Sequence, residues 1–173
     1  MNNLIFLRKF DLINPTMDDK NDFMISEITD ELECGDIGKI YTNDVLFEHD
    51  LDKFIPEEVA KHHPLWVIAV GNSATVAQRL KRQRKILVNP KVEFDDLNNI
   101  SEFDRSYTYG FFDKNHEEDY KHFQSVYPNS AWYCTSNSIY LFTIKDIVRD
   151  IITEDTVSKS VSENKGKKRP ARF

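Results

Sequence analysis

The sequence predicts an α/β fold: a compact, doubly wound, mainly parallel sheet of about six strands. Three observations predict it. Short apolar runs alternate with segments of helical periodicity along the chain. The runs are rich in Val, Ile and aromatics and mostly continuous, as strands buried on both faces are. The chain has 173 residues, 40% of them hydrophobic and 30% charged, which suits one water-soluble domain with a core of its own.

The strand candidates are 4–7, 39–42, 65–70, 85–89, 107–112 and 131–134. The helix candidates are 18–32, 51–61, 74–82, 117–127 and 142–152. The last is the clearest, because Ile144, Ile147, Val148, Ile151 and Ile152 recur at helical spacing. Right-handed crossovers between successive strands then place helices against the sheet. The domain is expected to span 1–154. From 155 onward the chain is rich in Ser, Lys and Glu and poor in apolar residues, so a disordered basic tail is expected over 155–173.

Charge is unevenly spread. From Lys159 to Phe173 there are six basic residues against the single acid Glu163, a net +5, which leaves −11 on the body within the total of −6. An acidic body is a poor surface for phosphate neutralisation, so nucleic acid contact is expected only through the basic tail. Cys34 and Cys134 form no Cys-x-x-Cys pair, so neither a zinc site nor a redox motif is suggested. Adjacent side chains point different ways, so His62 and His63 do not chelate one metal. No P-loop and no dinucleotide glycine motif occurs. No cofactor and no metal is expected. No run reaches membrane-spanning length and none reads as a signal peptide, so a cytoplasmic location with no membrane contact is expected. The basic run Lys81-Arg82-Gln83-Arg84-Lys85 complements a helix carboxyl end, or else contacts a phosphate or a partner.

Three segments carry chemistry. The first is Val67-Ile68-Ala69-Val70-Gly71-Asn72-Ser73-Ala74-Thr75, followed by a helix and Lys85-Ile86-Leu87-Val88-Asn89-Pro90. The second is Tyr109-Gly110-Phe111-Phe112, followed by Asp113 and an acidic stretch to Asp119. The third runs from His122-Phe123 through Tyr127-Pro128-Asn129 to a strand and then Thr135-Ser136-Asn137-Ser138. In order and spacing these resemble the compact YqiA-like bacterial esterases of the α/β-hydrolase superfamily. The likeness covers about residues 63–153.

The resemblance implies a serine nucleophile on a sharp strand-to-helix turn, an acid, and a histidine base. It puts Ser73 at the nucleophile position, with Thr75 where the family has glycine. The residues alone also allow Ser73 to be the N-cap of the helix expected from Ala74. The acid position falls on Asp113 or nearer His116, both expected at the carboxyl edge of the sheet, where α/β proteins bind ligands. The histidine position falls on Asn137, whose amide cannot act as a base near neutral pH; His116 is the possible substitute base. The oxyanion segment after the first strand is Arg8-Lys9-Phe10-Asp11 in place of the family's His-Gly. Only 91–105 joins two strands where the family often inserts a lid. The expected function is therefore that of a catalytically degenerate α/β-hydrolase-fold protein, kept as a binding or interaction module for a small acyl ligand or a protein partner. The alternative is a weak serine esterase acting on small acyl esters through Ser73. An unrelated flavodoxin-like binding domain is a third reading.

Overall fold

The computed structural model describes residues 3–9, 36–92, 100–136, 139, 144 and 146–152. Six strands form one sheet: β1 (Asn3–Lys9), β2 (Asp36–Tyr41), β3 (Trp66–Val70), β4 (Arg84–Val88), β5 (Thr108–Phe112) and β6 (Ala131–Tyr133), in the order β2-β1-β3-β4-β5-β6. The helices are α1 (Asn43–Phe47), α2 (Leu51–His62), α3 (Asn72–Ala77), α4 (Glu102–Ser106) and α5 (Glu117–Val126), the last entered through a 3-10 turn at Lys114–His116. Residues 146–152 are also helical.

The expected α/β sheet is thus what the chain forms. The four strands β3 to β6 run parallel in sequence order. Strand β1 lies between β2 and β3 and is antiparallel to both. The continuous apolar runs are explained by burial on both faces, since all five residues of β3 are buried. On one face, Ile5, Trp66, Ile68, Ile86, Phe111 and Trp132 pack with Ile144, Val148, Ile151 and Ile152 from the helical stretch that follows β6. On the other face, Leu4, Phe6, Val67, Leu87 and Phe112 pack with Leu46, Ile55, Ala74, Ala77 and Phe123 from α1, α2, α3 and α5.

Two short helices, α1 and α4, were not expected from periodicity, which needs more than five residues to register. The start of α4 is nevertheless written locally: Ser101 Oγ accepts from the Asp104 amide at 3.1 Å and donates to Asp104 Oδ2 at 2.9 Å. The helix expected over 74–82 is shorter and begins earlier, at Asn72, because the positive-φ residue that can end the strand abruptly is Gly71. The helix expected over 18–32, the tail over 155–173 and Asn137 lie outside the described residues.

Candidate functional site

The parallel strands deliver Gly71, Asn89 and Asp113 to their carboxyl edge. The turn after β3 is sharp. Gly71 has φ 74° and ψ −131°, a conformation open almost only to glycine, and serves as N-cap of α3. The apex of the strand-to-helix turn is therefore Gly71, two residues before the position that the motif assigns to the serine. Ser73 occupies the second helical residue, with its backbone amide in the first turn. Its side chain is fully buried, and Oγ is directed at two backbone carbonyls, Asn3 O at 2.6 Å and Val70 O at 2.9 Å. It is not the N-cap of α3, since that position belongs to Gly71. Thr75 Oγ1 accepts from the Lys91 amide at 2.9 Å. The β-branched residue in the family's glycine position thus ties the end of the β4 strand segment to α3.

Asn89 ends β4 in the left-handed region, at φ 54°, which asparagine tolerates better than most residues. Its amide Nδ2 donates to Asp113 Oδ2 at 2.9 Å, and the Asp113 amide donates to Asn89 Oδ1 at 3.0 Å. Asp113 Oδ1 accepts from the Asn115 amide at 3.0 Å and lies 2.6 Å from His116 Nδ1. A carboxylate beside Nδ1 fixes the proton there and leaves Nε2 as the basic nitrogen. The Asp113 side chain is 5% exposed and that of His116 38%, so a buried acid orients a half-open imidazole.

The structure thus brings together Asp113 and His116, as the resemblance allowed, but His116 bonds Asp113 and not Ser73. The same geometry also reads as a helix start: Asp113 is the N-cap of the 3-10 turn, and Glu117, Glu118 and Asp119 fill the first turn of α5. The Arg8-Lys9 segment does not reach this edge. Because β1 is antiparallel to β3, pairing Asn3 with Val70 and Leu7 with Trp66, it brings Asn3 to the carboxyl edge and carries its backbone at Arg8 and Lys9 to the opposite one. The backbone at Arg8 and Lys9 therefore lies away from the edge that carries Ser73 and Asp113.

A second polar cluster, which motif reading missed, lies at that opposite edge. The Lys85 ammonium is buried, donating to Leu80 O and to Asp104 Oδ1 at 2.9 Å. Burial pushes Lys85 below the usual lysine range, opposed by its hydrogen bond to Asp104 and the charge on it. Burial also pushes the Asp104 carboxyl up, but the Arg82 amide, Lys85 and the Gln83 amide outweigh it and hold Asp104 below the usual carboxylate range. The sequence signals were a lysine opening an otherwise apolar strand and the Ser101-x-x-Asp104 spacing. Among the described residues there is no group of His, Cys, Asp and Glu able to hold a metal ion, and no helix long and apolar enough to cross a membrane. No protein-family model, no curated protein and no solved structure matches this chain.

Proposed function

We propose that this chain is a binding module of α/β-hydrolase-like build that does not perform serine-hydrolase chemistry. The observation that carries the reading is the state of Ser73: fully buried, with its hydroxyl committed to the carbonyls of Asn3 and Val70. A nucleophilic hydroxyl needs an open approach and a base to receive its proton. Ser73 is closed off by burial, and the apex of the turn is Gly71, which offers no side chain. The binding end is the carboxyl edge of β3 to β5, where Asn89, Asp113 and His116 converge. A small acyl ligand or a protein partner in the cytoplasm is the occupant that the reading assigns.

The test is direct. A fluorophosphonate probe is expected to leave Ser73 unlabelled, and short-chain aryl esters to be turned over no faster by wild type than by Ser73→Ala. The same variant should lose about 1 kcal/mol of stability, the usual worth of a buried hydrogen bond. Rapid wild-type turnover abolished by Ser73→Ala would overturn the proposal. It would favour the second reading, a weak esterase, which draws on the oriented imidazole of His116; His116→Ala should then abolish turnover as well.

A further inference from the structure

A cleft of about 280 Å³ lies where the parallel strands begin, bounded by the end of α3, Ile100, Asp104 and Tyr127. It is on the opposite edge of the sheet from Ser73 and Asp113. Its chemistry is one-sided. Asp104, the carboxylate in its wall, has four good acceptor positions, and all are occupied. Oδ1 takes the Gln83 amide and the Lys85 ammonium, and Oδ2 takes the Arg82 amide and the Ser101 hydroxyl. A ligand therefore finds no vacant acceptor on that carboxylate.

Donors are available. The Lys85 ammonium has three N–H bonds and uses two, to Leu80 O and Asp104. Lys81, also in the wall, is exposed and makes no ion pair or hydrogen bond among the described residues. Burial and the Asp104 charge raise Tyr127 against its hydrogen bond with Thr108 and the Arg105 charge, so its phenol stays protonated beside Thr108. The surroundings favour negative charge. Arg82, Arg84 and Arg105 flank the strand starts, against Glu102. On an acidic body such a patch focuses potential and draws anions.

We propose that this cleft binds a small molecule through an oxyanion, a phosphate ester or a carboxylate, held by Lys81, Lys85 and Tyr127. The volume sits near the lower end of small-ligand sites, so the occupant is compact. The site stands independently of the chemistry at Ser73.

The test uses the full chain and two probes, inorganic phosphate and acetate, titrated by calorimetry with sodium chloride holding ionic strength constant. Saturable binding of either probe is expected, and the tighter of the two identifies the ligand's head group. Lys81→Ala and Tyr127→Phe should each weaken it about tenfold, the loss typical of a charge-assisted or buried donor. Lys81 is exposed, so that variant keeps the fold even where Tyr127→Phe disturbs packing. Heats that follow chloride as closely as phosphate and acetate would overturn the proposal. So would affinities unchanged by Lys81→Ala.

Discussion

Asp104→Ala is expected to lower the unfolding free energy by about 3–5 kcal/mol, the cost of leaving a buried charge without its partner. The Lys85 side chain is 1% exposed and that of Asp104 7%, so bulk water compensates the lost carboxylate poorly. The loss extends beyond the pair, because the Arg82 and Gln83 amides and the Ser101 hydroxyl also end on Asp104. Asp104→Asn separates charge from shape. A carboxyl held below its unfolded value of 3.8 contributes stability that is present above pH 3.8 and is lost as pH falls through the folded value. Urea unfolding of the wild type at a series of acid pH values should show that loss, and Asp104→Asn should lack it. An Asp104→Ala protein with a wild-type midpoint would show that Lys85 finds another partner.

Phe123→Ala should cost a similar amount, about 3–5 kcal/mol, as a fully buried ring is replaced by a cavity. Phe123 packs 5.3 Å from the Phe112 ring and 4.5 Å from that of Tyr127, centroid to centroid, and is 1% exposed. The ring also explains a glycine. A Cβ on Gly110 would sit 2.7 Å from Phe123 Cε1 and 2.9 Å from Phe112 Cε2, closer than carbon atoms approach. Gly110→Ala should therefore cost about 1–3 kcal/mol by overpacking. The two changes should not add. With Phe123 cut back to alanine, two of the three close contacts of the methyl at residue 110 are removed and only that with Phe112 Cε2 remains, so its cost should shrink. A double-mutant cycle in urea measures this; strictly additive costs would mean that the strand, not the ring, dictates glycine at that place.

Much of the fold was legible because burial on both faces leaves a compositional mark. The runs at 65–70, 85–89 and 107–112 are apolar without alternation, and they became the parallel centre of the sheet. Strand direction leaves no such mark. Leu4-Ile5-Phe6-Leu7 would read the same in a parallel or an antiparallel strand, so the fate of Arg8-Lys9 was hidden until the pairing was known. The turn after β3 was legible in principle, since a strand that turns abruptly into a helix favours glycine and Gly71 is the only one nearby. Motif spacing drew the eye to Ser73 instead. At the site, Asp113 and His116 were placed on one edge from the sequence, whereas the reciprocal pair between Asn89 and Asp113 depends on how β4 and β5 register. The Lys85–Asp104 pair stayed hidden for a similar reason: its partners lie on different elements, and only the packing of α4 beneath β4 joins them.

The antiparallel insertion of β1 has a consequence for how the sheet is assembled in time. The pairings from β3 to β6 close through successive short crossovers, each joining neighbours in sequence order. The β1–β3 seam instead joins Leu4 to Ala69 and Leu7 to Trp66, so it must close over the whole of the intervening chain, β2 and α2 included. Closing a longer loop costs more entropy, and contacts distant in sequence slow folding. That seam is where topology, not packing, governs the rate. The Ser73 hydroxyl, which reaches across it to Asn3, is a clasp on the most entropically expensive pairing in the sheet.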